Sequence, residues 1–441
     1  MALVTKEASA RSLALDILGQ VLGDGAYANL ALQQSLATSS LSAKDKGLVT
    51  ELVYGTLTRK IQLEWYLSHL IADRDQLEPW VYHLLLLSLY QICYLERIPD
   101  HAVVNEAVTL AKKRGHNRGA EKLVNAVLRR ILRDGVADVT TIKRKNKRLS
   151  IEYSLPVWLV KKLLEQYGES RAQAIMASLL EKSKASIRVS KGQDLARIAQ
   201  ETDSQVSRLS PVGLVKTSGH FAASQLFQKG QITIQDESSQ LVAPTLRLTG
   251  TERVLDACAA PGGKTCHMAS YLTTGEVLAL DLHEHKLALI RENAERLGVA
   301  DRVKTQQMDA STVHQHFAPD SFDKILVDAP CSGMGLLRRK PDIRFRKEGS
   351  DFAQLADIQL AILDSVCQTL RKGGIITYST CTLFQEENQG VLQRFLEKHS
   401  NFELVPLEHP QKDIVVDGCL VITPELYGSD GFFIGQLKRI N

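Results

Sequence analysis

The sequence predicts a multidomain protein with an all-α N-terminal domain, a small α+β middle module and a doubly wound α/β C-terminal domain. The first observation is the length of 441 residues, which exceeds the roughly 300 residues that one hydrophobic core usually serves. The second is helical spacing of apolar residues over the first third, and the third is strand-like runs alternating with helical runs over the last half. We place the domains at 1–145, 146–230 and 231–441.

The N-terminal domain is predicted to contain helices only. From Ser9 to about Asp134, apolar residues recur three and four apart, as in ARSLALDILGQVL and AEKLVNAVLRRILRD. No strand-like run interrupts this pattern, and the polar segment TTIKRKNKR follows it. A polar segment of this kind is typical of a linker, so the helical domain is expected to end near residue 145.

Positive charge is concentrated at the end of this domain. The net charge of the whole chain is only +4, yet thirteen Lys or Arg residues lie between Lys112 and Arg148, against Glu121, Asp134 and Asp138. Such a run occurs on solvated helical faces and in linkers, and it also suits an anionic partner. The charge run by itself does not separate these interpretations.

The middle module combines helical and strand-like runs. It begins with the helix-like PVWLVKKLLEQYG and continues with the strand-like SIRVS and the helical DLARIAQET. From about Gln231 the pattern becomes that of a parallel sheet, with strand candidates RVLDACA, EVLALDL, RVKTQQMD, FDKILVDAP and GGIITYSTC. The tail, with GCLVITPE and DGFFIGQLKR, supplies two further candidates. In such sheets, ligands bind beyond the carboxyl ends of the strands.

Cysteine content and apolar runs bear on the cellular compartment. The seven cysteines form an odd set without CxxC pairs, which argues against a disulfide framework and against a structural zinc site. The N-terminal segment MALVTKEASARS has no apolar signal core, and the apolar stretch from His83 to Cys93 is too short to span a bilayer. We therefore expect a cytoplasmic protein with reduced thiols and no metal. We also expect the protein to be monomeric.

One loop has the character of a nucleotide-type binding site. The segment from Asp256 to Thr265, DACAAPGGKT, ends one strand and opens a helix, and its two glycines let the backbone approach a ligand closely. A phosphate-binding P-loop would need glycine where Cys258 stands, and the dinucleotide pattern GxGxxG is absent. Phosphate binding and a nicotinamide-dependent dehydrogenase are therefore disfavoured.

Acidic residues at successive strand ends indicate which ligand this loop serves. Asp281 closes the second strand, where a carboxylate accepts hydrogen bonds from ribose hydroxyls, and Asp309 closes the third, within reach of an adenine edge. Each of them alone could be an ordinary strand-end cap. Together with Asp256 they favour a cofactor that has ribose and adenine but no phosphate, and S-adenosylmethionine is such a molecule.

Two cysteines and a carboxylate are predicted to share one edge of the sheet. The fourth strand ends at Asp328 and Cys331, and the fifth ends at Cys381. Thiols suit a methyltransferase that acts on cytosine, because C5 of that ring is a poor nucleophile. An ionised thiol that adds to C6 makes C5 electron-rich, and this covalent catalysis allows C5 to accept a methyl group. A carboxylic acid at N3 would stabilise the adduct, and Asp328 is placed for it. The remaining cysteines outside the cofactor loop are expected to be inert buried side chains: Cys93, Cys266, Cys367 and Cys419.

Four motifs resemble the RNA cytosine-5 methyltransferases of the NOL1/NOP2/Sun family: ACAAPGGKT, DAPCSG, YSTCT and QDESSQL. The resemblance implies a Rossmann-like class I methyltransferase domain in which Cys381 is the nucleophile and Cys331 assists product release. It also implies that S-adenosylmethionine is bound by Asp281, Asp309, Asp328 and the cofactor loop. The loop residues are Cys258, Ala259, Ala260, Pro261, Gly262, Gly263 and Lys264.

The helical domain resembles the RNA-binding NusB domain through DHAVVNEA at 100–107 and KLVNAVLRR at 122–130. A NusB-like domain joined to this catalytic domain is the layout of bacterial 16S rRNA methyltransferases, which implies 16S rRNA as partner and cytosine 967 as target. The resemblance also implies that the middle module at 146–230 recognises RNA, although this module departs from the family where SIRVS replaces the more usual LRVN. Another rRNA or tRNA position, and a non-enzymatic NusB-like RNA-binding factor, remain alternatives.

A basic loop follows the catalytic strand end. The run RRKPDIRFRK at 338–347 places six cations around Phe345, which suits phosphate contact and base stacking. A solvated loop is the other interpretation of this run. The candidate RNA-binding residues are Arg338, Arg339, Lys340, Arg344 and Arg346.

Overall fold

The computed structural model describes residues 9–115, 118–217, 219, 221–349 and 351–441. Residues 1–8, which hold most of the segment inspected for a signal core, lie outside the described residues. The chain divides into two compact units. The helical unit comprises Met1–Leu180 and Leu337–Arg346, and the sheet unit comprises Glu181–Leu336 and Lys347–Asn441.

Several helices of the helical unit pack around one helix, the fourth, which is buried on all sides. Its helices are α1 (Ala10–Leu22), α2 (Ala28–Thr38), α3 (Ala43–Ser68), α4 (Pro79–Tyr94), α5 (Asp100–Arg114), α6 (Arg118–Asp134), α7 (Lys145–Glu152) and α8 (Val157–Ser178). Helix α4 is buried without a break from Val81 to Gln91, as its nearly continuous apolar sequence requires. A Cβ on Gly55 of α3 would lie 2.0 Å from the Tyr90 ring, so only glycine permits this close packing of α3 against α4.

The short segment Leu337–Arg346 is an integral part of the helical unit. Its 3-10 turn holds Arg344, which is 0% exposed and donates from Nη1 to the carbonyls of Thr58 at 2.9 Å and Ser154 at 3.0 Å. Arg346 donates to the carbonyls of Gly25 and Ala26. The compact unit thus extends past residue 145 to Leu180, and it draws its last piece from the middle of the C-terminal sequence.

The sheet unit begins with the small α+β module. Four short strands form an antiparallel sheet in the order β2-β3-β1-β4. These strands are β1 (Ala185–Val189), β2 (Gln205–Val206), β3 (Gly213–Lys216) and β4 (Ile232–Ile234). Helix α9 (Leu195–Thr202) begins at Asp194, whose carboxylate accepts from the backbone N–H groups of Ala196 and Arg197.

The large sheet has the order β11-β12-β13-β9-β8-β5-β6-β7, with β10 paired to β13. Its strands are β5 (Arg253–Asp256), β6 (Glu276–Asp281), β7 (Val303–Gln307), β8 (Phe322–Asp328), β9 (Leu370–Thr380), β10 (Phe402–Leu404), β11 (Val415–Val416), β12 (Cys419–Ile422) and β13 (Phe432–Arg439). The five predicted parallel strands are β5 to β9, and both tail candidates are strands as well. Strand β13 runs antiparallel to β9.

The remaining helices of the sheet unit include α10 (Gln225–Gln228), which packs on the small sheet, and the helices that connect the parallel strands of the large sheet. Those after α10 are α11 (Glu237–Gln240), α12 (Val242–Thr245), α13 (Gly263–Ala269), α14 (Glu284–Arg296), α15 (Val313–His316), α16 (Asp351–Val366), α17 (Gln389–Lys398) and α18 (Pro424–Tyr427). The strand order reverses at β5, which lies between β6 and β8, and open α/β sheets bind ligands at such a point. None of the helices in the described ranges combines the length and apolar character that a bilayer span requires.

Candidate active site

Strand register brings the predicted site residues to one edge of the sheet. Asp256 at the end of β5 is level with Ala279 of β6 and Leu326 of β8. Asp328, which ends β8, is paired with Ser379 near the end of β9. The side chains after β5, β6, β8 and β9 therefore meet at the carboxyl edge, where the sequence placed them.

The cofactor loop is fixed to the end of β5. Gly262 adopts φ +98°, a left-handed conformation that favours glycine, and helix α13 begins at the next residue. Thr265 of α13 donates a hydrogen bond from Oγ1 to Asp256 Oδ2 at 2.7 Å. The other Asp256 oxygen is buried and has no hydrogen-bond partner among the described residues. Burial, followed by the negative charge of Asp328, raises the pKa of Asp256 to about 7.

Two further carboxylates have one oxygen engaged locally. Asp281 Oδ1 accepts from the backbone N–H of His283 at 3.0 Å, and Lys286 Nζ lies 3.7 Å from the same oxygen. Asp309 Oδ1 accepts from both the N–H and the hydroxyl of Ser311. In each case these bonds use Oδ1, so the second oxygen suits a hydroxyl or amino donor of a ligand.

The electrostatic field of this edge is negative. Burial raises the pKa of the Cys258 thiol, and the charges of four carboxylates raise it further. Those carboxylates are Asp256, Asp328, Asp281 and Asp309. Such a site repels phosphate and attracts a cation, and S-adenosylmethionine carries a positive sulfonium beside its adenosine. The residues present therefore fit this cofactor.

Lys264 counters part of that negative charge. Its Nζ donates to Asp328 Oδ2 at 2.7 Å, while Ser379 Oγ donates to Asp328 Oδ1 at 2.7 Å. Burial lowers the pKa of Lys264, but the charge and hydrogen bond of Asp328 outweigh that effect, so the pKa is raised overall. Lys264, which the sequence assigned to the cofactor loop, thus contacts the carboxylate predicted to act on the base.

The two predicted catalytic thiols are in direct contact. Cys331 Sγ and Cys381 Sγ lie 3.2 Å apart, and both cysteines are free. The hydrogen bond to Cys381 raises the pKa of Cys331 well above its ordinary value, and burial and the charges of Cys381 and Glu387 add to the effect. Cys331 therefore keeps its proton at neutral pH.

A buried glutamate that sequence reasoning missed holds the loop around Cys331. Glu387 is 0% exposed, and its carboxylate accepts from the N–H of Ser332 at 2.8 Å and from the Ser332 hydroxyl at 2.6 Å. Gln359 of α16 donates to Glu387 at 3.2 Å and to the carbonyl of Pro330 at 2.9 Å. Glu386, the residue before Glu387, is exposed. Nothing in a single sequence shows which of these two glutamates is buried.

A buried arginine, also missed, links the small sheet to the cofactor loop. Arg188 of β1 donates from Nη1 to Gln235 Oε1 at 2.9 Å and to the carbonyl of Gly263 at 3.0 Å. Burial lowers the pKa of Arg188 to about 10. The sequence signals that could have revealed this contact are SIRVS, which contains Arg188, and the QDESSQL motif, which begins at Gln235. The module predicted to recognise RNA therefore also supports the first turn of α13.

The predicted RNA-binding loop lies in the helical unit, and not all of its candidate residues are available to bind RNA. Arg344 is completely buried with its guanidinium on backbone carbonyls, so in this conformation it cannot contact a phosphate. Arg338 is buried too, Arg339 and Arg346 are half-buried, and Lys340 is exposed. Charge alone suggested contact with RNA phosphates or with solvent, whereas backbone carbonyls of the helical unit accept from the guanidinium groups of Arg344 and Arg346.

The cysteines expected to be inert are withdrawn from solvent. Cys266, Cys367 and Cys419 are buried, and Cys93 is half-buried. Burial raises the pKa of Cys93 to about 11, which keeps it a thiol at neutral pH. Within the described residues, no cluster of three or more His, Cys, Asp or Glu side chains is arranged to hold a metal ion.

Known proteins resemble both units. A family model described as the NusB family matches residues 8–133, and one described as 16S rRNA methyltransferase RsmB/F matches residues 243–438. A Bacillus subtilis (strain 168) protein, named probable ribosomal RNA small subunit methyltransferase B, is 43% identical and covers 98% of this chain and 99% of its own length. The crystal structure of PH0851 covers 100% of both chains with a TM-score of 0.82 and 23% identity. A methyltransferase homolog from Pyrococcus horikoshii has a TM-score of 0.59 and 26% identity, covering 68% of this chain and 100% of its own.

These matches confirm the predicted fold class: a NusB-like helical domain, a small α+β module and a Rossmann-like methyltransferase domain. The relative from Bacillus subtilis aligns over nearly the whole of both chains, so the likeness extends beyond shared motifs. The chain belongs to the 16S rRNA methyltransferase RsmB/F family and is a methyltransferase that uses S-adenosylmethionine.

Proposed function

We propose that this enzyme methylates carbon 5 of a cytosine in 16S rRNA through a covalent bond between Cys381 and C6. The observation that carries the proposal is the contact of two free thiols at 3.2 Å beside the Asp328–Lys264 ion pair. The names of the relatives, which specify the small ribosomal subunit, support the choice of RNA. Family resemblance gives cytosine 967 as the target.

The first chemical step forms the Cys381–C6 bond. Cys381 attacks as a thiolate while Cys331, whose pKa is raised by their hydrogen bond, keeps its proton. The electron pair displaced from the C5–C6 double bond is delocalised toward N3, and N3 must gain a proton or a strong hydrogen bond. A proton passes from Lys264 Nζ to Asp328 Oδ2, 2.7 Å away, and from the Asp328 carboxylic acid to N3, so Lys264 is a neutral amine until that proton returns.

The remaining steps restore the aromatic ring. S-adenosylmethionine supplies the methyl group that becomes bonded to C5. The C5 proton then leaves to water, the C6–sulfur bond breaks, and the electron pair of that bond returns to the Cys381 sulfur. Cys331 is placed to donate its proton to that departing sulfur across 3.2 Å, and N3 gives up the proton that it gained. Glu387 holds this loop in place through Ser332.

The helical domain at 1–145 and the middle module at 146–230 are proposed to bind the RNA around the target. The basic stretch from Lys112 to Arg148 has exposed lysines on α5 and α6, namely Lys112, Lys113 and Lys122. Extracting a base from its stack costs a few kcal/mol, and phosphate contacts elsewhere offset this cost. We propose that the enzyme acts as a monomer in the cytoplasm.

Deleting the gene should remove one 5-methylcytosine from 16S rRNA, because a single target follows from the family resemblance. Bisulfite sequencing of rRNA from cells with and without the protein measures this directly. Complementation with the parental protein should restore the mark, and Cys381→Ala should not. An unchanged 16S pattern with a methylcytosine lost from tRNA would reassign the substrate, and loss of no mark would overturn the proposal.

Binding of S-adenosylmethionine should tighten as pH rises from 6 to 8. Asp256, with its pKa raised to about 7, is mostly protonated at pH 6 and mostly ionised at pH 8, and the cationic sulfonium prefers the ionised form. The affinity should rise by up to about tenfold over this window. Calorimetry at several pH values measures the change, and S-adenosylhomocysteine, which lacks the sulfonium charge, is the matched control ligand. The assignment would be contradicted if S-adenosylhomocysteine binding showed the same pH dependence as S-adenosylmethionine binding. It would also be contradicted if Asp256→Asn bound S-adenosylmethionine with the same pH dependence as the parental protein.

A further inference from the structure

Glu387 and Asn388 are adjacent buried polar residues at the start of helix α17. Glu387 ends a 3-10 turn, and Asn388 is followed by α17. The hydroxyl of Tyr378 donates to the carbonyl of Glu387 at 2.6 Å, which fixes the turn to strand β9, and this strand ends just before Cys381. Buried polar groups in native proteins are nearly always hydrogen-bonded, so the partners of these two side chains show what they hold in place.

Asn388 forms hydrogen bonds to the residue on each side of Cys381. Its side-chain oxygen accepts from the hydroxyl of Thr380, and its amide donates to the carbonyl of Thr382 at 3.3 Å. Both threonines are buried. The carbonyl of Cys381 itself accepts from the backbone N–H of Gly335 at 2.9 Å. One side chain therefore holds the backbone on both sides of the proposed nucleophile.

Glu387 holds the residue that follows Cys331, and the two sets of bonds are connected. Its carboxylate accepts from the N–H and the hydroxyl of Ser332, and the Ser332 hydroxyl lies 2.9 Å from that of Thr382. Because a hydroxyl carries one proton, and that of Ser332 is donated to Glu387, Thr382 is the donor to Ser332. This chain of hydrogen bonds joins the backbone beside Cys331 to the backbone beside Cys381.

We propose that Glu387 and Asn388 are positioning residues that set the 3.2 Å contact between the Cys331 and Cys381 sulfurs. Asn388 orients Cys381 for its attack on C6, and Glu387 holds Cys331 where it can protonate the departing sulfur. A displacement of about 1 Å at a reacting group can slow a reaction about 10²-fold. The catalytic consequence rests on the proposed covalent mechanism, whereas the thiol contact can be measured without RNA.

Titration with phenylarsine oxide, followed by mass spectrometry of the intact full-length protein, measures the thiol contact without RNA. The arsenic forms one bond to each sulfur, and its oxygen leaves as water with the two thiol protons. The second bond forms within the protein, so the affinity depends on how closely the two sulfurs are held. Asn388→Ala and Glu387→Ala should bind the reagent at least about tenfold more weakly than the parental protein. Glu387→Gln offers Ser332 an oxygen for its N–H and an amide for its hydroxyl, so its affinity should change less than about threefold.

The two residues should affect different steps of the reaction with RNA. Asn388→Ala should slow formation of the covalent complex with a 16S rRNA fragment about tenfold or more, because Cys381 is no longer oriented. Glu387→Ala should form the complex and release it slowly, because the proton donor Cys331 is displaced, and Glu387→Gln should restore release. Gel analysis of the complex over time measures both steps. Equal slowing of both steps in both alanine variants would indicate general destabilisation and reject this division of roles.

Exposed residues beside the pair provide the controls: Glu386→Gln and Gln393→Ala should behave like the parental protein in both assays. If an alanine variant does not fold, Thr380→Val removes the donor to Asn388 while it keeps the size of the side chain, and it should weaken arsenical binding about tenfold. Parental affinity of folded Asn388→Ala and Thr380→Val for phenylarsine oxide would overturn the inference. If neither the parental protein nor Cys331→Ala forms a covalent complex with RNA, the proposed function fails, and weakened arsenical binding by the variants would still support the positioning role.

Discussion

Replacing Cys381 with alanine should reduce methyl transfer by roughly 10⁴-fold or more, because the bond to C6 can no longer form. No covalent protein–RNA complex should appear with this variant. Cys331→Ala should instead accumulate a covalent complex that survives denaturing electrophoresis, because the thiol that protonates the departing sulfur is missing. Incubation of each variant with a 16S rRNA fragment and S-adenosylmethionine, followed by gel analysis and methyl counting, gives both readouts.

Cys419→Ala is the matched control for the two thiol variants. Its thiol is buried on β12, and no step of the proposed reaction uses it. This variant should retain activity and form no stable complex. A covalent complex that appeared with Cys381→Ala and not with Cys331→Ala would mean that the two cysteines have exchanged roles.

Neutralising four exposed lysines of the basic stretch should weaken RNA binding by about 10²- to 10³-fold at low salt. The lysines are Lys112, Lys113, Lys122 and Lys147, each changed to glutamine. Each lost phosphate contact lowers the slope of log affinity against log salt by about 0.7 to 0.9, so the slope should fall by about three. Binding of a 16S rRNA fragment at several salt concentrations measures both quantities.

A second quadruple variant separates specific contacts from net charge. Lys44, Lys161, Lys372 and Lys412 are exposed lysines outside the basic stretch. Changing them to glutamine removes the same charge and should alter affinity and salt slope much less. Equal losses in the two variants would show that the stretch from Lys112 to Arg148 has no special part in RNA binding.

The fold and the catalytic edge could be predicted because their signals are local. Alternating strand-like and helical runs predicted β5 to β9, and the ends of parallel strands necessarily meet at one edge. That rule alone placed Asp256, Asp328 and Cys381 together. The Cys331–Cys381 contact follows from the pairing of Asp328 with Ser379, since each cysteine lies two or three residues beyond this pair.

The residues that sequence reasoning missed are defined by contacts between distant segments. Glu387 is buried because Ser332, 55 residues away in sequence, supplies two donors to its carboxylate. Arg188 is buried because the carbonyl of Gly263 and the side chain of Gln235 accept from it. Arg344 was predicted to bind RNA because the six cations around Phe345 suit phosphate contact. Burial of a charge depends on partners that a linear pattern does not reveal.

The discontinuous make-up of the helical unit bears on how the chain folds during synthesis. Met1–Leu180 leaves the ribosome first, but the segment that carries Arg344 follows only after most of the parallel sheet has been made. At roughly 5–20 residues per second, the helices wait on the order of 10 to 30 s for that segment. The carbonyls of Thr58 and Ser154 lack their arginine partner throughout this interval. Completion of the first unit to emerge is therefore coupled to translation of the second.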